Sequence, residues 1–218
     1  FGKSISYSNN WLVVSAIYDE DNGIKSGAVY VFEYDGENWN EHSKIKAFDG
    51  DSFDRFGYSV CINENRLIVG SIYDDDNGDN SGSVYLYELI DDYWNLITKI
   101  SPNNLNDMDM FGISVSIFDD FLAIGSKQSY LSLEDAGSVS IYKISDNNLL
   151  YIQTIIPDDI NVYDHFGSSV SINNNILAIG SKYDDDNGVN SGSVYIYDLN
   201  DDNWSYYTKI IPFDGNIN

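Results

Sequence analysis

The sequence predicts an all-β chain: four successive antiparallel sheets of four strands, each built by one 55-residue repeat. Three observations predict it. Phe-Gly recurs at Phe1-Gly2, Phe56-Gly57, Phe111-Gly112 and Phe166-Gly167, always 55 residues apart, and the other columns align without insertion. Each repeat holds four short apolar stretches bounded by turn residues, the signature of short strands. No segment combines helical periodicity with helix caps.

The register is carried by many columns. Ile5, Val60, Val115 and Val170 share one; Leu12, Leu67, Leu122 and Leu177 another; Gly27, Gly82, Gly137 and Gly192 a third. Trp39, Trp94 and Trp204 align with Leu149 of the third repeat. A fixed period of this kind marks a repeat architecture, with units 1–55, 56–110, 111–165 and 166–218.

The second repeat shows how each strand arises. Ser59-Val60-Cys61-Ile62 alternates, as a strand with one buried face does. Leu67-Ile68-Val69 is continuously apolar, as in a strand covered on both faces. Asn77-Gly78 and Ser81-Gly82 signal turns. Ser83 to Leu89 is β-branched and aromatic. Asp91-Asp92 reads as a turn, Trp94 to Ser101 as the fourth strand, and Pro102 ends it. Four strands joined by short turns describe a propeller blade, whose inner strands lose both faces to neighbouring blades. A β-solenoid is the rival, but its rungs are usually shorter than this repeat.

Composition narrows the function. Of 218 residues, 35 are acidic and 11 basic, a formal charge of −24. Such a surplus repels phosphate backbones and weighs against nucleic-acid binding. It favours divalent cations, or solubility alone. Hydrophobic content of 43% and aromatic content of 15% suffice for a packed core and exclude a disordered polyanion. The single cysteine, Cys61, excludes an intramolecular disulfide. No run reaches the ~18 apolar residues of a membrane helix, so no membrane insertion is expected within this segment. The chain opens at Phe1 without an initiator Met or signal pattern, as expected for a mature or partial piece of a longer polypeptide.

Phe56-Gly57-Tyr58-Ser59-Val60, Leu67-Ile68-Val69-Gly70-Ser71, Asp74-Asp75-Asp76-Asn77-Gly78 and Ser81-Gly82-Ser83-Val84-Tyr85 together resemble the FG-GAP repeat. That repeat builds the propeller of integrin α-subunits and of many bacterial, protist and viral surface proteins. Gly70-Ser71, Gly125-Ser126 and Gly180-Ser181 stand at its Gly-Ala element, where the first repeat departs with Ser15-Ala16. The resemblance covers the whole chain. It implies rings of about seven blades, so a segment of a longer propeller is the first expectation here, with assembly from several chains and a four-bladed ring as alternatives. It also implies display on a cell or virion surface and a protein partner.

Three repeats carry an acidic string: Asp19-Glu20-Asp21-Asn22-Gly23, Asp74-Asp75-Asp76-Asn77-Gly78 and Asp184-Asp185-Asp186-Asn187-Gly188. Hard cations such as calcium take several closely spaced oxygen ligands beside a turn glycine. The resemblance implies a calcium loop of Asp-x-Asp-x-Asp-Gly form. With Gly78 at the glycine position, Asn77, Asp75 and Tyr73 fall on the ligand positions, an imperfect match. Taking Asp19, Asp21, Asp74, Asp76, Asp184 and Asp186 as ligands instead sets two carboxylates on one side of each loop. The alternative is a solvated turn that needs Asn-Gly for positive φ. The third repeat aligns Ser129, Tyr130, Leu131, Ser132 and Leu133 with the string and serves as an internal control.

Other candidates stand beside plainer readings. Leu105, Met108, Met110, Tyr130, Leu131 and Leu133 put apolar side chains on loops, either as a partner-contact surface or folded back as a satellite core. His42 and His165 occupy different columns without a nucleophile motif and read as structural. Cys61 aligns with Ser6, Ser116 and Ser171 as a small strand residue. Tyr30, Tyr85 and Tyr195 read as aromatics packing between sheets. Asn203-Trp204-Ser205 fits an N-glycosylation acceptor.

The expectation is a non-enzymatic binding or structural module, because its features recur from repeat to repeat whereas an active site is one asymmetric constellation. A calcium-stabilised adhesion domain is the alternative. A propeller hydrolase, which would need two inward carboxylates unique to one blade, is the third.

Overall fold

A computed structural model describes residues 1–127, 134–145 and 148–213. The described residues are all-β, without helix, and their strands form four four-stranded antiparallel sheets, the blades of a propeller-type fold. The first blade runs β1 (Ile5–Ser8), β2 (Trp11–Ala16), β3 (Ala28–Tyr34), β4 (Trp39–Ile45). The second runs β5 (Ser59–Asn63), β6 (Arg66–Ser71), β7 (Ser83–Ile90), β8 (Tyr93–Ile100). The third runs β9 (Ser114–Phe118), β10 (Phe121–Ser126), β11 (Ser138–Ser145), β12 (Asn148–Ile155). The fourth runs β13 (Phe166–Asn173), β14 (Ile176–Ser181), β15 (Ser193–Asn200), β16 (Asn203–Ile210). Each sheet is a meander in chain order.

The residues account for this. Leu67, Ile68 and Val69 on β6 are fully buried, as a strand covered on both faces must be. Outer strands such as β8 are largely exposed. Asp91 and Asp92 both adopt positive φ, 50° and 68°, so Ile90 pairs with Tyr93 across a two-residue turn of the primed type. This tight turn starts β8 one residue before Trp94. Every blade also bulges at one column, between Val31/Phe32, Leu86/Tyr87, Ile141/Tyr142 and Ile196/Tyr197. The extra residue opposite is His42, Ile97, Ile152 or Tyr207, and it bends the outer strand.

Two compact units divide the chain, Phe1–Ile117 and Phe118–Asn218. The first has a core from Trp11, Val13, Val31, Phe56, Leu67 and Tyr85 with their neighbours. The second has its own from Ile141, Phe166, Leu177, Ile179, Tyr195 and Trp204 with theirs.

Within each unit, blades join at the Phe-Gly pair. The Phe56 and Phe111 amides donate to the Ser26 and Ser81 carbonyls, and the Phe166 amide to that of Ala136, each at 2.8 Å. This seats the phenylalanine backbone on Gly27, Gly82 or Gly137, whose φ values are +89°, +85° and +92°. A Cβ on any of the three would fall inside the phenylalanine backbone. The column therefore admits only glycine, for both space and φ. The Phe56, Phe111 and Phe166 rings are fully buried.

A second joint runs along the innermost strands of the first unit. Ser4, just before β1, and Ser6 and Ser8 on it accept hydrogen bonds at Oγ from the amides of Val60, Ile62 and Glu64, at 3.2, 3.0 and 3.0 Å. These amides face away from β6, so serine side chains satisfy an edge that would otherwise invite foreign strands. Cys61 stands at the equivalent place one blade on, where burial pushes its thiol pKa up. It is a structural residue of the strand, not a reactive one.

A Gly82→Ala substitution is expected to destabilise the chain by about 3 kcal/mol, combining backbone overlap with φ strain. Gly36, at φ +102° with open space around it, is the control, and Gly36→Ala is expected to cost about 1 kcal/mol. Urea unfolding of the two variants measures the difference.

Candidate functional site

The acidic strings form the loops after β2, β6 and β14. In the second blade Asp74 is buried. Its Oδ1 accepts from Ser83 Oγ at 2.9 Å and from the Asp76 amide at 3.3 Å. Its Oδ2 accepts from Tyr85 Oη at 3.0 Å. Asp75 instead takes the Asn80 amide at 2.6 Å, and the Asn77 amide group donates to the Ser101 carbonyl at 2.8 Å. The loop thus converges Asp74 and Asp76 and turns Asp75 and Asn77 elsewhere. The fourth blade repeats this: Asp184 holds the Asp186 amide at 3.0 Å, Ser193 Oγ at 3.0 Å and Tyr195 Oη at 2.9 Å.

Two partners in this cluster are absent from the acidic string. Asp49, on the linker entering the second blade, accepts from Tyr85 Oη at 2.8 Å. Lys99, on β8, places its ammonium 2.8 Å from Asp49, 2.8 Å from Asp74 and 2.7 Å from Asp76. In the fourth blade Lys209 does the same to Asp159 at 2.9 Å, Asp184 at 2.8 Å, and Asp186. In the first blade Lys44 lies 2.7 Å from both Asp19 and Asp21, and Tyr30 Oη donates to Asp19 at 3.2 Å. The tyrosines do pack as aromatics: Phe56–Tyr85 and Phe166–Tyr195 meet edge to face at 5.2 Å. Their hydroxyls hold the carboxylates, a role the strand pattern gave no hint of.

The third repeat has Asn104, Ser129, Ser140 and Thr154 in the columns of Asp49, Asp74, Tyr85 and Lys99. All four change together. That joint loss is the sequence signal that could have revealed the cluster. Ser140 and Thr154 now face each other at 3.3 Å. Tyr130, Leu131 and Leu133 lie outside the described residues.

The carboxylate oxygens of Asp49, Asp74 and Asp76 come within 4.8 Å of one another, a spacing compatible with a divalent cation. As it stands the cluster does not fit one, because the Lys99 ammonium already lies within 2.8 Å of all three groups.

Electrostatics follow from burial and these partners. Burial works to raise the Asp19 and Asp184 carboxyls, but hydrogen bonds from Lys44 or Lys209 and from a loop amide overcome it, leaving both below the ordinary value. Burial also opposes the charge of Lys99 and Lys209, yet their carboxylates hold both ammonium pKa values above normal. Asp54, Asp109 and Asp164 share a buried column before the Phe-Gly pair, where each accepts a linker amide at 2.7 Å. Burial, reinforced by the Asp74 charge, pushes Asp54 up to about 7. Burial and the Asp184 charge push Asp164 up to about 6.

The other sequence candidates separate. Leu105 is buried, so it belongs to the core and not to a contact surface: the linker turn, closed by the Leu105 amide on the Pro102 carbonyl, folds it inward. Met108 is 48% exposed and Met110 half-buried, both at positive φ. Asn203 is exposed beside the β15–β16 turn. His165 packs against Tyr183 at 4.8 Å. His42, the bulge residue of β4, meets Trp11 edge to face at 4.9 Å, with Nδ1 3.2 Å from Ser43 Oγ and Nε2 3.3 Å from Asp92. It lines a groove with Lys44, Phe48, Tyr87 and Trp94. The Asp92 side chain is 79% exposed, so water competes for it.

A Lys99→Met substitution is expected to cost about 3 kcal/mol, because it leaves Asp74 buried and uncompensated. Lys46, 3.7 Å from Asp21 and more exposed, is the comparison: Lys46→Met should cost no more than ~1 kcal/mol. Chemical denaturation of the pair checks this.

The pH dependence has a definite sign. A carboxyl raised in the folded state binds its proton more tightly there, so its contribution is complete below the unfolded value and is lost as pH rises. For Asp54 that loss runs up to about 7. Asp184 acts oppositely, and its contribution is lost only as pH falls through its lowered value. Asp54→Asn, which keeps an acceptor for the Asp51 amide, should therefore melt above the unsubstituted chain at pH 8 and lose that advantage toward pH 5. A pH series of melting curves checks it.

A family model of the FG-GAP repeat matches residues 1–32, 39–87, 94–142 and 151–197. The chain is similar to Integrin alpha-6 of Homo sapiens, 29% identical over 184 residues, a match covering 73% of this chain and 15% of that protein. The chain thus corresponds to a small part of that relative's length. It also superposes on a solved structure from Bacteroides uniformis, provisionally described as a 6-phosphogluconolactonase, with a TM-score of 0.60 and 8% identity. That match covers 96% of this chain and 56% of the other, and at such identity the likeness is one of fold.

Proposed function

The chain belongs to the FG-GAP repeat family, and on that premise we propose that it is a non-enzymatic binding module, displayed on a cell or virion surface, whose blades present loop side chains to a protein partner. The likeness to Integrin alpha-6 supports the surface location.

One observation carries the reading. On the first unit, Tyr18 and Phe53 are exposed at 60% and 52%. Lys25 lies 5.9 and 5.8 Å from their rings, and Arg55 lies 5.7 Å from Tyr18 and 4.7 Å from Tyr73. Aromatic and arginine side chains are what protein interfaces are enriched in, and this strip brings cations to a chain that is otherwise strongly acidic. Its backbone is fixed in advance: Phe53 and Arg55 sit at φ 80° and 55°, and their amides donate to the Ile24 and Lys25 carbonyls at 2.7 and 3.3 Å. Preorganised side chains bind with less ordering entropy. Met108 and Tyr163 occupy the Phe53 column with the same left-handed backbone, so each linker offers a large side chain at this point.

The competing reading as a hydrolase has one observation of its own, the Ser43–His42–Asp92 arrangement. The two readings separate in one experiment. Binding to a panel of purified extracellular proteins is measured for the unsubstituted chain and for Tyr18→Ser with Phe53→Asn, asparagine being tolerant of left-handed backbone. The expected result is at least one partner whose affinity falls about tenfold or more in the variant at an unchanged melting point. Retention of all binding by the variant argues against this surface, and ester or lactone hydrolysis that disappears in His42→Ala turns the assignment to an enzyme.

A further inference from the structure

We propose that the ε-ammonium groups of Lys99 and Lys209 take the place of a divalent cation in the acidic loops of the second and fourth blades, so that these loops fold without metal, and that removing the ammonium opens a carboxylate site for calcium. The inference is independent of the binding function proposed above.

Stoichiometry supports it. A lysine ammonium has three N–H donors and no acceptor. Around Lys99 stand three carboxylates, Asp49, Asp74 and Asp76, each within 2.8 Å. Around Lys209 stand Asp159, Asp184 and Asp186. One ammonium thus has a donor for each carboxylate. A calcium ion binds oxygen at about 2.3–2.6 Å and would need the same central volume. The two charges would also repel strongly across so short a distance.

The position is built and not incidental. The Lys99 side chain is 12% exposed and the Asp74 side chain 4%, so the pair is withdrawn from water. Two further donors complete the set: Tyr85 Oη bridges Asp49 and Asp74, and Ser83 Oγ holds the other oxygen of Asp74. In the fourth blade Tyr195 Oη likewise bridges Asp159 and Asp184, and Ser193 Oγ donates to the same Asp184 oxygen as Tyr195.

Comparison among the repeats gives the independent observation. A lysine beside a metal loop opposes the metal and has no reason to appear and vanish with its carboxylates. An internal counter-ion has every reason to. Lysine is present in the three repeats that carry the acidic string, as Lys44, Lys99 and Lys209. It is replaced by Thr154 in the one repeat that has Asn104 and Ser129 in the carboxylate columns.

The test uses the whole chain and two single variants, Lys99→Met and Lys209→Met. Thermal midpoints are measured in millimolar calcium and in chelator, with terbium luminescence sensitised through Tyr85 or Tyr195 as a direct reading of metal at the cluster. The unsubstituted chain is expected to melt at the same temperature in both. The variants are expected to melt lower in chelator, to recover several degrees in calcium, and to gain saturable terbium luminescence that Asp76→Asn, added to Lys99→Met, abolishes. That last control separates the cluster from other acidic surface. A midpoint of the unsubstituted chain that drops by several degrees in chelator overturns the proposal. So does a folded variant indifferent to calcium. Should neither variant fold with or without calcium, the comparison on the unsubstituted chain decides alone.

Discussion

The Phe-Gly pairs at Phe56, Phe111 and Phe166 lie against a glycine of the preceding blade so closely that a methyl group could not stand between them. Much else in a unit depends on this approach. It fixes where the linker crosses the blade before it, since the Phe53, Arg55 and Phe56 amides bond to the carbonyls of Ile24, Lys25 and Ser26 in succession. It drives the phenylalanine ring into the core, edge-on to the tyrosine of its own blade. It brings Asp49 or Asp159, carried on the same linker, to the acidic loop of the next blade. A fault in this joint would unseat the ring and scatter the charged cluster together.

The cluster shows how a chain of net charge −24 buries carboxylates at all. Three aspartates per site would repel one another if left to solvent screening alone. A single ammonium with a donor for each, aided by tyrosine and serine hydroxyls, turns repulsion into a satisfied network. Asp54 and Asp164 are not among the carboxylates that Lys99 and Lys209 pair with. Burial and the charge of Asp74 or Asp184 oppose their ionisation, and their raised pKa values are the result. The same column supplies the acceptor that closes each linker turn, so its members are held by the backbone while the electrostatics work against them.

Much of the fold was legible in the primary structure, for a reason that varies by element. The inner strands announced themselves because burial on both faces leaves no polar position, as at Leu67-Ile68-Val69. The turns were legible because only glycine, asparagine and aspartate adopt left-handed backbone cheaply. Leu105 was not, because a loop leucine looks the same whether it faces water or folds beneath a turn. The bulge residues were invisible too: His42, Ile97, Ile152 and Tyr207 share a column but no chemistry. Lys99 and Asp49 were missed because they lie 25 residues on either side of Asp74, with no local pattern linking them.

The amino-acid order by itself determined the repeat, its strands, its four-stranded sheets and the glycines at the joints, since each follows from local sterics and from period-two or continuous burial. It also held the co-occurrence of aspartate, tyrosine and lysine across three repeats. Only the tertiary structure decided what that co-occurrence means. Carboxylates and an ammonium far apart in the chain meet only once the linker is seated on the preceding blade, and their shared geometry, not their spacing, sets whether the loop calls for a metal or already contains its counter-ion.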